Sequence, residues 1–146
     1  MNIIPFEAKH LARVDIQERQ RRTILHVSLD YLASLAQDGP ALTAVVGDQV
    51  IGCGGIAVGF MGMGIAWCVI SRDAGPHFLG LHRAARRLLE IPKVRRIEAA
   101  MECDFTEAVR WAEMLGFKRD GRMPAFGFSG EDHYLYSRTF PMGRLN

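Results

Sequence analysis

The sequence predicts one α/β domain built on a mixed sheet, in the order strand, helix, three-strand meander, helix, strand, helix and two closing strands. Three observations predict it. The length of 146 residues suits one core, so residues 1–146 are taken as a single domain. Apolar residues make up 49% and charged residues 23% of the chain, which is typical of a globular protein. Segments with two-residue alternation and segments with helical spacing follow each other in that order.

The first strand is predicted at residues 2–6. Helical spacing then extends over residues 15–37, with Asp15 as a candidate cap and Gly39-Pro40 as the end. The first half of this region is polar and rich in arginine, which suggests a solvated face. The pattern leaves open one long helix or two helices with a break.

The meander is predicted from residues 42–46, 49–58 and 65–70, with Gly47-Asp48 as a hairpin turn and residues 59–64 as a glycine-rich turn. Its second part carries no charge over residues 49–71, which raises the alternative of a membrane span. Six glycines there, each costing about 1 kcal/mol in a helix interior, favour buried strands instead.

A loop at residues 71–76 precedes a helix that begins near Pro76 and ends at Ile91-Pro92. A strand is predicted at residues 95–101. The next helix, residues 106–115, has Thr106 as its candidate cap and is ended by Gly116 and Phe117. The last two strands are predicted near residues 119–128 and 133–140.

Composition limits the function classes. The net charge of +2 does not by itself indicate nucleic acid. A basic cluster lies within residues 83–96, and we interpret it as a solvated helix face with its exit loop; an anionic-ligand site is the alternative. The three cysteines have no metal-ligand spacing and the five histidines form no HxxxH pattern, so we expect no metal site, and buried thiols in a reducing cytosol. The N-terminus lacks a signal-peptide pattern.

The element order, together with the last helix ending in Gly116-Phe117 before two closing strands, resembles the GCN5-related N-acetyltransferase (GNAT) superfamily. The resemblance implies acetyl-CoA as co-substrate and transfer of its acetyl group to an amine of a small molecule or protein. The phrases Trp111-Ala112-Glu113 and residues 130–138 look like phage-encoded members of the superfamily.

In this family a loop after the fourth strand holds the cofactor's diphosphate, since unpaired amides at a helix N-terminus favour an anion. The segment at residues 72–77 corresponds to that loop, and Arg72 and Gly75 match its Arg and its first Gly. The residues expected to bind the diphosphate are Arg72, Asp73, Ala74, Gly75 and His77. The segment departs from the family pattern in two ways. Pro76 lacks an amide hydrogen, and His77 replaces a small residue.

The resemblance also implies that the fourth and fifth strands splay apart and that the pantetheine arm pairs with the fourth. Backbone contacts are then expected from Val69 and Ser71. Asp104 and Phe105, after the fifth strand, are expected near the thioester, and Trp111 on the last helix completes the cofactor-binding set.

Direct transfer needs a base near the amine and an acid for the leaving thiolate. Glu98 and Glu102 share one side of the fifth strand by alternation, and Glu102, nearer the strand end, is the candidate base. A surface carboxylate paired with a neighbouring arginine is the alternative. The usual acid is a tyrosine at the position of Ala112, so Tyr134 and Tyr136 are the candidate substitutes; packing against the sheet is their alternative role.

Two further functions stay open beside the enzyme. A phage virion-associated or accessory protein could keep the fold without turnover, as Pro76, His77 and Ala112 suggest. Nucleic-acid binding through the basic cluster is the weaker hypothesis. We expect a cytoplasmic location (host cytoplasm or virion for a phage protein) and no membrane partner. Edge strands of this fold often pair between subunits, which makes a homodimer reasonable.

Overall fold

The computed structural model describes residues 1–141, the side chain of Leu25 apart. Its strands are β1 (Asn2–Pro5), β2 (Ala41–Val46), β3 (Gln49–Val58), β4 (Gly64–Ile70), β5 (Arg96–Glu102), β6 (Lys118–Met123) and β7 (His133–Thr139). Its α-helices are α1 (Ala8–Leu11), α2 (Glu18–His26), α3 (Leu29–Leu35), α4 (Phe78–Glu90) and α5 (Thr106–Met114). Short 3-10 turns lie at Ala36–Asp38, Phe60–Gly62 and Arg72–His77.

The strands form one sheet in the order β1-β2-β3-β4-β5-β7-β6. Neighbouring strands are antiparallel except for β4 and β5, which are parallel. The predicted mixed α/β sheet is therefore confirmed. The charge-free segment forms β3 and β4, and no helix within residues 1–141 is both long and apolar enough to cross a bilayer.

The region predicted as one long helix or two contains α1, α2 and α3. Val27 has extended backbone angles (φ −99°, ψ 118°), which separates α2 from α3. Ser28 caps α3, since its side chain accepts a hydrogen bond from the Tyr31 amide at 3.1 Å. Asp15 is not a cap; Gln17 precedes α2, and the Asp15 carboxylate pairs with Arg72.

The helix α5 ends as predicted. Gly116 has φ +89°, and the Phe117 amide donates to the Ala112 carbonyl at 3.0 Å, which satisfies a carbonyl of the last turn. The predicted cap was wrong, because Thr106 is the first helical residue and Phe105 occupies the cap position without a side-chain hydrogen bond.

Two other predicted boundaries were wrong. The helix α4 begins at Phe78 rather than near Pro76, since residues 72–77 form a 3-10 turn. Strand β6 ends at Met123, because the chain turns after it, with positive φ at Ala125 and Gly130.

Buried apolar side chains form clusters against the helices. The largest cluster includes Leu88 of α4, Ile97 of β5, Ala112 of α5 and Phe117. A second joins Leu11 of α1, Leu32 of α3, Val50 of β3 and Val69 of β4. Helices thus fix β4 and β5, the two strands that border the candidate site.

Candidate functional site

Strands β4 and β5 diverge in the middle of the sheet. Their pairing consists of two residue pairs, Gly64 with Ile97 and Ile65 with Glu98. Beyond these pairs β4 continues to Ile70 and β5 to Glu102, so the strands leave a wedge-shaped gap. The sheet is open at this point, and backbone groups of β4 are available to partners other than a strand.

A cavity of about 410 Å³ extends through the gap. Its lining includes Cys68 of β4, Ala100 and Glu102 of β5, and Trp111 of α5. A second cavity of about 330 Å³ leads from Cys68 and Trp111 to Arg72 and Gly75 at the 3-10 turn. The two cavities connect the gap with the loop that precedes α4.

The backbone groups of β4 that face the gap belong to Cys68 and Ile70, rather than to Val69 and Ser71. The Ser71 amide donates to the Ile51 carbonyl of β3 at 2.8 Å. Directly bonded pairs alternate along an antiparallel ladder, so Val69, opposite Cys53, also faces β3. The expectation of backbone contacts from Val69 and Ser71 was therefore wrong by one residue.

Side chains and backbone of the α2 region already bind the gap-facing groups of β4. The Ile70 amide donates to Oε1 of Gln20 at 2.7 Å, and Nε2 of Gln20 donates to the Cys68 carbonyl at 3.0 Å. The Gln17 amide donates to the Ile70 carbonyl at 3.0 Å. Every one of these three backbone groups therefore has a partner from residues 17–20.

Glu102 lies at the end of β5 with its side chain 5% exposed. Nη2 of Arg22 donates to its Oε2 at 2.8 Å, and Nη2 of Arg19 lies 3.4 Å from the same oxygen. The other oxygen, Oε1, is buried and has no hydrogen-bond partner within residues 1–141. The alternative of a surface carboxylate is therefore wrong for Glu102. It describes Glu98 better, which binds Arg96 at 2.7 Å.

Asp104 and Phe105 follow β5 at the mouth of the gap. Asp104 is 78% exposed and accepts a hydrogen bond from Arg19 at 2.8 Å. That hydrogen bond and the charge of Arg19 lower the pKa of Asp104 from its ordinary value. Phe105 lines both cavities, and the Arg19 guanidinium lies 5.0 Å from its ring centre.

The amides that open the 3-10 turn at residues 72–77 have acceptors inside the chain. The Arg72 amide donates to the Asp15 carbonyl at 2.9 Å, and the Ala74 amide to the Ser71 carbonyl at 3.2 Å. The Asp73 amide donates to the hydroxyl of buried Ser71 at 3.1 Å. Anion binding by these amides would require an exchange of partners.

The predicted loop side chains divide between the cavity and other surroundings. Arg72, Ala74 and Gly75 line the second cavity. The Asp73 carboxylate instead accepts a hydrogen bond from Gln49 at 2.7 Å. His77 is not among the residues that line either cavity.

Arg72 is the cation of this loop. Its Nε lies 3.0 Å from the Asp15 carboxylate, and its side chain is half exposed. A Cβ placed at Gly75 would have no heavy atom within 4 Å, so the loop is open at that point. The arrangement offers an anion one guanidinium and free space.

Trp111 lies between the two cavities on α5. Its indole Nε1 donates to Nδ1 of His82 at 3.2 Å, and Phe78 lies 5.7 Å away in an edge-on arrangement. The ring therefore has a fixed orientation beside the gap. Ala112, where the family's tyrosine is expected, is buried in the core.

Tyr134 and Tyr136 do not line the gap. Tyr136 is 0% exposed; its hydroxyl donates to Glu113 at 2.9 Å and accepts from Arg119 at 3.1 Å. Burial raises its pKa above the ordinary value. The Arg119 guanidinium covers the Tyr134 ring at 3.7 Å. The expectation that either hydroxyl reaches the thioester was wrong, because both side chains pack elsewhere on the sheet.

The cysteines differ from the sequence expectation in burial. Cys53 is buried, and burial raises the pKa of its thiol to about 11. Cys103 is intermediate and Cys68 is exposed at the gap.

In the basic cluster Arg83, Arg86 and Arg87 are exposed on α4, in agreement with a solvated face.

Sequence reasoning missed Arg19, Gln20 and Arg22, the residues of α2 that contact both strands. Their polar character indicated a solvated helix, since a local pattern gives no sign of a partner 48 to 85 residues away. No pattern in the sequence distinguishes Gln20 from a solvent-exposed glutamine.

The fold has close counterparts among solved structures. The ribosomal-protein-alanine N-acetyltransferase of Brucella melitensis superposes with a TM-score of 0.76 at 18% identity, over 96% of this chain and 100% of its own. Ard1 of Thermoplasma volcanium gives 0.79 at 16%, over 96% and 97%. A putative acetyltransferase, yncA of Salmonella typhimurium, solved with acetyl-CoA, gives 0.74 at 18%, over 97% and 94%. No protein-family model and no curated protein matches the chain.

These similarities define the class of fold. The seven-stranded mixed sheet with its helices matches the fold of GNAT acetyltransferases. At identities of 14% to 19% the likeness concerns the fold, and the chemistry of this chain has to be argued from its own residues.

Proposed function

We propose that this protein is an acyl-CoA-dependent N-acetyltransferase that moves an acetyl group from acetyl-CoA to an amine. The observation that carries the proposal is the gap between β4 and β5, with Glu102 at its end. Oε1 of that residue is buried and has no hydrogen-bond partner among the described residues. A buried unpaired acceptor in a cavity favours a ligand that brings an N–H donor.

The residues present fit an acyl-CoA arm in the gap. The Cys68 carbonyl and the Ile70 amide face the gap and can pair with the two amides of the arm as they would with a neighbouring strand. The Arg72 guanidinium and the open space at Gly75 suit the diphosphate. When bound, acetyl-CoA supplies the thioester that the amine attacks.

Glu102 is the proposed base. Its Oε1 accepts the proton that the amine loses as the new C–N bond forms. The other oxygen, Oε2, is bound by Arg22 and Arg19 in the structure. We assign no side-chain acid, because Ala112 lacks a proton to give and both tyrosines lie outside the gap. The leaving thiolate takes its proton from solvent.

The acceptor class is an amine of a small molecule or a protein. The structural neighbours include enzymes for a ribosomal-protein alanine and for spermidine, so the fold serves both kinds of acceptor. We propose that the protein works in a reducing cytoplasm, which is consistent with its three free cysteines. We also propose that it forms a homodimer through an edge strand of the sheet.

The first experiment is thermal unfolding with acetyl-CoA, with free CoA, and with ATP as a control polyanion. Ligand at about 100 times its dissociation constant adds roughly 2.7 kcal/mol, enough to raise the melting temperature by several degrees. We expect this shift with acetyl-CoA and CoA, and not with ATP. An amine panel followed by thiol release then tests turnover. Equal melting temperatures at millimolar acetyl-CoA would refute the cofactor assignment.

A protein that keeps the fold without turnover is the second candidate, in the form of a phage virion-associated or accessory protein. The observation in its favour is the internal pairing of the Arg72, Asp73 and Ala74 amides, together with Ala112 in place of a tyrosine. Recovery of the protein in purified virions, with no thiol release across the amine panel, would favour this candidate over the enzyme.

A further inference from the structure

We propose that α2 is a built-in lid on the gap, and that the Gln20 side chain occupies the place where an amide of the acyl-CoA arm binds. The inference rests on the proposed function and concerns how its site is controlled. It implies that acyl-CoA binds by displacing Gln20 from β4.

The Gln20 carboxamide imitates a strand residue on the open edge of β4. It accepts from the Ile70 amide at 2.7 Å and donates to the Cys68 carbonyl at 3.0 Å. One amide thus satisfies a donor and an acceptor two residues apart, which is the pairing an added strand or an amide-containing ligand makes. The pantetheine arm, with the C=O of one of its amides and the N–H of the other, can form the same two bonds only after Gln20 leaves.

The same helix also binds the β5 side of the gap. Arg22 holds Oε2 of Glu102 at 2.8 Å, and Arg19 holds Asp104 at 2.8 Å. Near the C-terminal end of α2, the His26 ring stacks on Phe128 at 5.4 Å. The helix therefore spans the gap, with Gln20 on one strand and the two arginines on the other.

The contacts of α2 are of a kind that can open. None of the described side chains of α2 is fully buried. Among them, Ile24 packs against the buried cluster that includes Leu11 of α1 and Leu32 of α3. A nine-residue helix is marginal without its tertiary contacts. The extended backbone of Val27 separates α2 from α3, so α2 can move while α3 stays in place.

A closed lid lowers the apparent affinity for acyl-CoA. The apparent dissociation constant equals the intrinsic one divided by the fraction of molecules with α2 open. Removing the two Gln20 hydrogen bonds raises that fraction, and we expect the variant to bind CoA about tenfold more tightly than wild type.

The experiment compares wild type with Gln20→Ala and Gln20→Met. Alanine removes the side chain, whereas methionine keeps its length and removes both hydrogen bonds; both residues favour helix. Gln37→Ala, at an exposed glutamine in the 3-10 turn Ala36–Asp38, is the matched control. Binding of CoA is measured by calorimetry, and amide hydrogen exchange by NMR at Ile70 and Ser71.

Two results together support the lid. Both Gln20 variants bind CoA more tightly than wild type and Gln37→Ala. The Ile70 amide exchanges at least tenfold faster in the variants, because its acceptor is gone, while the Ser71 amide, bonded to Ile51, keeps its rate.

Other outcomes separate the two proposals. If wild type and both variants bind CoA with equal affinity, or the variants bind it less tightly, the lid is refuted and the cofactor assignment stands. If no form binds CoA although Ile70 exchange accelerates in the variants, acyl-CoA is refuted as the ligand, and with it a lid that controls acyl-CoA.

Discussion

The Arg22 guanidinium donates to Oε2 of Glu102 at 2.8 Å, whereas Oε1 of the same carboxylate is buried without a hydrogen-bond partner among the described residues. The two oxygens therefore have different surroundings. A buried carboxylate oxygen without a hydrogen-bond donor is destabilising, and a ligand that brings an N–H group would remove that cost. In the proposed reaction that donor is the acceptor amine.

The first prediction concerns Glu102→Gln. The amide keeps an oxygen acceptor for Arg22 but cannot take a proton, so we expect kcat to fall about 10²- to 10⁴-fold with the affinity for acetyl-CoA unchanged. Steady-state thiol release and calorimetry measure the two quantities. Glu98→Gln is the matched control, because it lies on the same strand, pairs with Arg96 and does not line the cavity. A kcat equal to that of wild type would exclude Glu102 as the base.

The second prediction concerns Gly75→Asp. The new side chain has free space and Gly75 does not have a positive φ, so the melting temperature should stay near that of wild type. Its charge would repel the diphosphate and weaken CoA binding at least tenfold. Gly59→Asp, equally open and distant in the β3–β4 turn, should bind CoA as wild type does. Equal affinity in both variants would remove the diphosphate from this loop.

The third prediction concerns Asp15→Asn. The Asp15 carboxylate pairs with Nε of Arg72 at 3.0 Å and competes with an anion for that guanidinium. Neutralising it should tighten CoA binding a few-fold. This gain should shrink as the salt concentration is raised from 0.05 to 0.5 M, because the Debye length falls to roughly a few ångströms and the interaction between the charges is screened. Calorimetric titration at both salt levels is the test. Weaker binding by the variant would mean that Asp15 positions Arg72 for the ligand.

Local patterns predicted the elements that carry the site. Residues 49–58 were predicted as a strand and form β3 with the same bounds, and Gly116 ends α5 as predicted. The two-residue alternation and the helical spacing of apolar residues are local patterns, and they indicate which face of a strand or helix is buried. They were therefore sufficient for the sheet and for the position of Glu102 at the end of β5.

The same patterns could not predict the contacts that occupy the gap. Gln20 and Ile70 are 50 residues apart, and Arg22 and Glu102 are 80 apart. Polar residues at the start of a helix indicate a solvated face whether they end in water or on a distant strand. The direction of the β4 backbone, which assigns the gap to Cys68 and Ile70, depends on the register with β3.

The fourth prediction is acid destabilisation through Asp132. The Ala125 amide and Arg122 donate to its carboxylate, and these hydrogen bonds lower its pKa below the ordinary 3.8. A lowered folded-state pKa contributes stability that is full above 3.8 and is lost as the pH falls through the folded value. The difference in urea unfolding midpoint between wild type and Asp132→Asn should therefore become smaller as the pH is lowered from 7 to 3. A difference in midpoint that stays constant over this pH range would show that the Asp132 carboxylate does not stabilise the fold through a lowered pKa.

The fifth prediction concerns Tyr136→Phe. The lost hydroxyl donates to Glu113 and accepts from Arg119, so we expect the free energy of unfolding to fall by about 1 kcal/mol with kcat unchanged. Tyr134→Phe should cost less, because its ring keeps the contact with Arg119 at 3.7 Å. Urea unfolding and steady-state thiol release measure both effects. A kcat that drops in Tyr136→Phe while the variant is fully folded would restore this hydroxyl as the acid and require β7 to move toward the gap during turnover.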